Sequence, residues 1–397
     1  MVGFKCPAPV PLSITLVCFK TDQMSAPIPE IEYLIVGSGL TGATLARILR
    51  DAGKSVLVVD RRKHMGGNVY DEQDSTTGIR FHTYGPHYFR TNSEKVWRFV
   101  NRFSSFVTFY PSIKTVVDDN VEDWPLRKTQ VQRFAGCADW TPAFRGKPGN
   151  FEEACLAKFP QIVYEKFIKG YTEKQWGQPA TQLSAELAQR LSLLEDHEYF
   201  QSSHRYSALP SAGYAAFMQS LLSDIPVILN FDYLHHKNSI TNWKELIYTG
   251  PIDQYFDCDL GKLKYRGQQR ELMRVGGGAL QQPCLQLNNP SSEHGSHVRT
   301  IEWRHLMPIS EQASMRHTLL TREYPCTPDD PDQFEYPMPD GLNQKLYLEY
   351  RKRADRISNV LMCGRLGEYR YFDMDQAIGR ALMLAERLLR TNTLLAS

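Results

Sequence analysis

Residues 31–60 read IEYLIVGSGLTGATLARILRDAGKSVLVVD. Glu32 to Val36 (EYLIV) is an apolar run of strand length, and it leads straight into Gly37-Ser-Gly39-Leu-Thr-Gly42. Ala43 to Ala52 carries apolar residues at helical spacing, with Gly53 as the stop. Ser55 to Val59 is a second buried strand, ending on Asp60. A GxGxxG between strand and helix, with an acid closing the next strand, is the dinucleotide-binding pattern in its required context. Gly37 permits the tight turn, Gly39 lets backbone approach a pyrophosphate, and Gly42 lets helix and strand pack closely. The helix N-terminus offers partial positive charge to the phosphates, and Asp60 offers a carboxylate to a ribose. The spacing therefore predicts an α/β fold.

Working outward, Arg61-Arg-Lys-His-Met-Gly66-Gly67-Asn68 follows the acid. A Gly-Gly pair there resembles the second motif of glutathione-reductase-like FAD proteins, where the chain passes close to the cofactor. FAD is favoured over NAD on this ground. Near the C-terminus, Asn359 to Cys363 is another apolar strand, closed by Gly364-Arg365. Asp373-Met-Asp-Gln376 precedes an amphipathic helix, Ala377 to Leu389, with Asp373 reading as an N-cap and Gln376 at N3. Such a helix can aim its N-terminus at a flavin and stabilise negative charge on the reduced ring.

Composition bounds the rest. The 397 residues suffice for about two to three domains. The chain is 42% hydrophobic and 23% charged, an ordinary globular balance rather than a disordered one. A formal charge of +2 supplies no broad basic field, so nucleic acid is not an expected partner. Eight cysteines without a CxxC pair give neither a disulfide framework nor a metal site, and His235-His236 reads as loop. A cytoplasmic protein without a membrane span is expected, because no apolar run reaches about 18 residues. Pro9 to Phe19 is apolar but short, and residues 1–30 read as a poorly structured extension, with Met24 a plausible start.

Four further segments are long and unusual: YGPHYFRTN (84–92), IKGYTEKQWG (168–177), IYTGPIDQYFD (247–257) and GRLGEYRYFDMDQ (364–376). They closely resemble the bacterial UDP-galactopyranose mutases, and the similarity runs from about residue 31 to 390. The resemblance implies a discontinuous Rossmann-like FAD-binding domain (31–92, 207–262 and 341–397). It also implies a helical domain (93–104 and 131–206, with a mobile lid near 178–198) and an antiparallel β-sheet domain (105–130 and 263–340). Helical patterns fill 94–103, 151–170 and 182–194, and strand-like runs occur at 227–231, 245–249, 298–303 and 317–323.

The chemistry implied is a ring contraction with no net redox change, interconverting UDP-galactopyranose and UDP-galactofuranose. Reduced flavin attacks the anomeric carbon through N5, UDP leaves, the sugar–flavin adduct opens and recloses through the 4-hydroxyl, and UDP returns. FAD must be reduced, and NAD(P)H is a possible external reductant. A homo-oligomer is possible by analogy.

The resemblance also assigns residues. Arg190 and Arg299 match the arginines on the diphosphate, where guanidinium geometry is needed, and His87 matches a histidine beside the flavin. Phe167, Tyr171, Thr172, Trp176, Tyr199, Tyr336 and Tyr371 match substrate contacts; Arg266, Asn288 and Asn289 are weaker substrate candidates. Cofactor contacts fall on Gly37, Gly39, Thr41, Gly42, Asp60, Arg61, Gly66, Gly67, Asn68, His87, Tyr88, Tyr214, Arg365, Asp373, Met374 and Gln376. No metal is implied.

The sequence also departs from the family. GAHIFHTN reads GPHYFRTN here, so a histidine becomes Arg90; a substrate asparagine falls near Pro111; the segment after Arg190 is recast; and Gly-Gly before Tyr214 is Ala212-Gly213. Flavin and diphosphate positions are kept while sugar-contacting positions drift, as an altered sugar preference would produce. The alternatives are a mutase for another nucleotide-linked hexopyranose, a flavin oxidoreductase on the same fold, and a non-catalytic nucleotide-sugar binder.

Overall fold

The computed structural model describes residues 30–196 and 204–395. Its centre is a five-stranded sheet in which every pairing is parallel. Across the sheet the strands run Val227–Ile228, Val56–Val59, Ile31–Val36, Trp243–Tyr248, Val360–Met362. In chain order that is 3-2-1-4-5, the doubly wound order, which reverses direction beside Ile31–Val36. Leu34 and Ile35 are fully buried because both faces are covered. Tyr33 and Ile35 face a cluster that includes Leu45, Leu49, Phe217, Met218, Ala381 and Leu382. Leu34 faces the opposite cluster, with Leu246, Tyr248 and Tyr350. Alternate side chains of one strand thus anchor helices on two sides, each large apolar group contributing about 1.5–3 kcal/mol of burial.

Three expected elements form differently. The stretch 182–194 is not one helix: Ala185–Arg190 is a 3₁₀ turn and Leu193–Leu194 pairs with Leu126–Arg127. Ser184 is extended, its N–H bonding the Pro339 carbonyl and its hydroxyl capping Glu186, so the chain is committed elsewhere before a helix can propagate. The strand at 227–231 stops at Ile228, with Asn230 in the left-handed region. The helical stretch from 151 is broken into Phe151–Leu156, Gln161–Val163, a π-helical Tyr164–Lys169 and Gly170–Trp176.

A second sheet of seven strands runs Tyr336–Pro337, Tyr265–Gly276, His317–Cys326, Arg299–Glu302, Gln286–Asn288, Ile113–Val117, Asn120–Asp123. All its pairings are antiparallel except Gln286–Asn288 with Ile113–Val117. Helix Gly170–Trp176, through Trp176, and the 3₁₀ turn at Ala185–Arg190, through Ala188, share an apolar cluster with Phe151, Phe159 and Val117 of the second sheet. No helix among the described residues is long and apolar enough to cross a membrane.

Candidate functional site

A cleft opens where the parallel sheet reverses, as doubly wound sheets place their ligands. Its wall includes Val36, Asp60 and Thr249, at the carboxyl ends of three neighbouring strands. About 1210 Å³ of space lies inside it, counting the part open to solvent, more than a single small ligand requires. Glycine backbone forms part of the wall. A Cβ on Gly37 would fall 2.1 Å from Thr249 Oγ1, and one on Gly42 would fall 2.0 Å from the Gly37 carbonyl oxygen. The Gly66-Gly67 loop lies against the first one: a Cβ on Gly67 would sit 3.2 Å from Gly39 Cα, and Gly66 N–H donates to the Ser38 carbonyl. Helix Leu40–Asp51 begins at Gly39 with no side-chain cap, so its first N–H groups face the cleft. These features fit a dinucleotide.

Asp60 does more than wait for a ribose. Its Oδ2 accepts from the Ser38 N–H at 2.7 Å and the Ser38 hydroxyl at 2.6 Å, and Oδ1 accepts from Arg62 N–H. It holds the glycine turn while keeping acceptor capacity toward the cleft.

Of the predicted cofactor contacts, Gly37, Gly39, Thr41, Gly42, Asp60, Arg61, Gly66, Gly67, Asn68, His87, Arg365 and Met374 line the cleft. Four others are placed differently. Tyr88 packs its ring near Phe109, with its hydroxyl buried and unpartnered. Tyr214 lies under the wall and donates to the His87 carbonyl at 3.0 Å. Its helix starts on Asp71, which accepts from both Tyr214 and Ala215 N–H. Gly213 is the position where glycine is required: φ is +88°, and a Cβ would meet Arg80 at 2.2 Å. The terminal helix begins at Met374 rather than at 377. Only half of its expected capping box forms. Gln376 accepts from Asp373 N–H, but the Asp373 carboxylate turns away to Tyr371 and Arg190, and the Gln376 N–H bonds Asp375 instead.

His87 lies at the inner end of the cleft. Its Nδ1 is 2.7 Å from the Gly85 carbonyl, which can only accept, so Nδ1 carries the proton. Burial pushes its pKa down to about 4, so the ring is neutral and Nε2 is an acceptor at neutral pH.

Arg365, which lines the cleft, also borders a cluster of charged and aromatic side chains beside it. Arg190 lies 3.9 Å over the Tyr371 ring, donates to the Tyr371 hydroxyl at 2.7 Å and pairs with Asp373 at 3.4 Å. Tyr371 stacks parallel to Tyr336, and Trp176 meets Tyr336 edge-on. Arg365 sits 4.8 Å from the Tyr371 ring, fixed by the Glu335 and Phe372 carbonyls. On the opposite side Arg299 lies within hydrogen-bonding reach of Tyr171. Tyr171 and Tyr336 each lie close enough to Arg190 and Arg299 to feel both charges.

Arg299 belongs to a polar row that crosses the second sheet. Asn288 pairs in register with Arg299, Arg299 with Glu323, and Glu323 with Arg270. Glu323 is fully buried and binds Nε of both arginines. Arg270 then forks onto Glu335 at 2.7 and 3.0 Å. Burial pushes the Glu323 carboxyl up, but Arg299 and Arg270 outweigh it and hold it below its ordinary range. Glu335 is raised, because burial there is only partly offset by Arg270. Gly85 presses on this network: its φ is +84°, and a Cβ would lie 2.5 Å from Glu323 Oε1. Sequence reading missed Glu323, Arg270 and Glu335. A single Glu in HTLLTREYPC looks like a solvated strand residue, and only the register reveals its partners.

Several substrate candidates serve the frame. Phe167 is buried against Phe134, and Thr172 is buried inside helix Gly170–Trp176. Arg266 is spent on the end of that helix, donating to the Gln175 and Lys174 carbonyls and to Thr327. Asn289 holds the carbonyls of His294, Gly295 and His297. Asn288 remains beside Arg299, on the same rung. Tyr199 lies outside the described residues, as does the end of the expected lid. Arg90 joins the Arg190 cluster: Tyr88, Asp373, Tyr371 and Arg190 are among the charges that act on it.

Comparison with known proteins agrees with this arrangement. Residues 166–371 match the UDP-galactopyranose mutase family model, and residues 35–103 match an NAD(P)-binding Rossmann-like domain. A probable UDP-galactopyranose mutase of Klebsiella pneumoniae is 30% identical over 369 residues, covering 90% of this chain and 94% of the relative. A dTDP-fucopyranose mutase of Escherichia coli is 28% identical, covering 91% and 99%. The crystal structure of a reduced UDP-galactopyranose mutase superposes with a TM-score of 0.71 at 15% identity, covering 91% and 96%. Matched by that family model over about half its length, and along nine-tenths of its length by a relative 30% identical, this protein belongs to the UDP-galactopyranose mutase family of isomerases.

Proposed function

We propose that the protein is a flavin-dependent mutase that interconverts UDP-galactopyranose and UDP-galactofuranose without net redox change. The observation that carries this reading is the placement of Arg190 and Arg299 about Tyr171, Tyr336 and Tyr371, beside the cleft where Arg365 borders both. FAD would be held by the Gly37–Gly42 turn, the Gly66-Gly67 loop, Asp60 and Arg365; when bound and reduced it supplies the nucleophile for the anomeric carbon. The protein's own work is to bind and hold. Arg190 and Arg299 neutralise the diphosphate and keep the detached UDP from diffusing away. Tyr336, its phenol kept protonated by burial, would donate to a phosphate oxygen, while Tyr371 donates to Asp373 and accepts from Arg190, holding that guanidinium in place. The neutral His87 presents Nε2 as an acceptor rather than a competing cation.

A second reading, a mutase for another nucleotide-linked hexopyranose, is favoured by Arg90. It brings a cation to Tyr371 and Asp373 where the family pattern has histidine, and a relative of similar identity is a dTDP-fucopyranose mutase. The test is to purify the protein, reduce it with dithionite and supply UDP-galactofuranose, UDP-galactopyranose and dTDP-fucopyranose separately. Many turnovers of UDP-galactofuranose per reduced flavin are expected. Absence of bound flavin would sink both readings. Stoichiometric flavin oxidation without an isomeric product would mean an oxidoreductase, and faster turnover of the dTDP sugar would select the second reading.

A further inference from the structure

Helix Gly170–Trp176 carries Tyr171 toward Arg299. Three residues on, Lys174 lies on a neighbouring part of the same helical surface. Its ammonium is ringed by four backbone carbonyls, those of Asn289 (2.9 Å), Ser291 (2.7 Å), Gly295 (3.0 Å) and His297 (3.0 Å). All four come from the loop that joins strand Gln286–Asn288 to strand Arg299–Glu302. The ends of that loop are Asn288 and Arg299, which face each other across the first rung.

The arrangement is unlike an ordinary lysine ion pair. Among the described residues no carboxylate pairs with it, and burial shifts Lys174 down to about 8. An ammonium has three N–H donors, so four acceptors share them. A ring of carbonyl dipoles around a lone cation is how proteins hold monovalent ions; here the cation is tethered to a helix. The loop is shaped for it. Asn289 Nδ2 draws in the Gly295 and His297 carbonyls from the other side. The helix is also pressed onto the loop at Gly170, where a Cβ would fall 2.2 Å from the Pro290 carbonyl oxygen. Contact and cation together fix the distance between Tyr171 and the Asn288–Arg299 rung.

We propose that Lys174 is a positioning residue, a tethered cation that organises the 289–298 loop and so holds Asn288 and Arg299 at their working distance from Tyr171. The link to substrate rests on the mutase reading; the loop's dependence on the cation does not.

The test uses the flavin-loaded protein and two variants, Lys174→Ala, which leaves the carbonyl ring open to solvent, and Lys174→Met, which fills the space without charge. Hydrogen exchange of the 289–298 amides is expected to quicken about tenfold to a hundredfold in both, the loss of one charged hydrogen-bond group. KM for UDP-galactopyranose is expected to rise by a similar factor while kcat changes little. Ammonium chloride should reverse both effects in Lys174→Ala and neither in Lys174→Met, with N-methylglucamine chloride as the ionic-strength control. Unchanged exchange, or quickened exchange that ammonium fails to slow, would overturn the tether. Quickened exchange with unchanged KM would overturn the link to substrate. A wild-type protein with no turnover would instead condemn the mutase reading, with the exchange result still deciding the tether.

Discussion

Where the glycines line the cleft, the wall is main chain. Gly37, Gly42, Gly66 and Gly67 bring two turns of backbone together with little side chain between them. Next to the cleft, reached through Arg365, the structure is built of side chains: Arg299, Glu323, Arg270 and Glu335 form a buried alternation of charge, and Arg190 lies over Tyr371. The first region is specified by residues within about 30 positions of one another, the second by strands far apart in the chain. The difference teaches that a shape built from absence of side chain is local, whereas a charge pattern built across a sheet exists only once the register is set.

The sharpest break in that comparison is Gly42→Ala. Its Cβ would meet backbone, the Gly37 carbonyl at 2.0 Å, which cannot swing aside as a side-chain end would. The expected cost exceeds about 4 kcal/mol, the range reserved for such mechanisms. The protein should purify colourless or fail to fold; retention of full flavin absorbance would mean that the turn is not closed as described. Glu323→Ala attacks the other region. It leaves Arg299 and Arg270 buried without their shared carboxylate, at about 3–5 kcal/mol by urea unfolding. A loss under 1 kcal/mol would show the row to be solvated rather than sealed. Arg190→Ala should be milder for the fold, because the side chain is about half exposed. It is expected to lower kcat/KM by about 10² to 10³ with flavin still bound, the range for one donor on developing negative charge. Loss of flavin instead would move Arg190 out of the diphosphate site.

The same contrast explains what could be read from the sequence. The glycine turns, Asp60 and the strand–helix–strand rhythm were legible because each rests on backbone geometry over a few residues. Arg190, Arg299, Tyr336 and Tyr371 are named from long motif matches, and the structure gathers them into one cluster. What escaped was ownership. Arg266 and Arg299 look alike in sequence, yet Arg266 is consumed by helix carbonyls while Arg299 lies beside Tyr171. Asn288 and Asn289 are neighbours, yet strand alternation sends one to the polar row and the other into its loop. Asp373 looked like a helix cap, but the arginine across the cleft takes its carboxylate. In each case a long-range partner outcompetes the local one, and a one-dimensional pattern holds no record of it.

His87 stands at the junction of the two regions and gives the smallest effect. Its imidazole takes a proton near pH 6.5 in the unfolded chain, but only near pH 4 when folded, because burial opposes the charge. Between those values the unfolded state binds more protons than the native state, so stability falls as pH is lowered and is unaffected by this group above about pH 7. At pH 5 the contribution is about 2 kcal/mol of lost stability. His82 titrates in the same direction beneath it, so the comparison must be between wild type and His87→Gln, measured by urea unfolding at pH 8 and pH 5. The wild type should lose about 2 kcal/mol more than the variant on acidification. Equal losses would mean that His87 is protonated in the folded protein. The Gly85 carbonyl and a cation on His87 would then share the inner cleft with Arg365 and Arg270, and the neutral acceptor assigned to Nε2 would be gone.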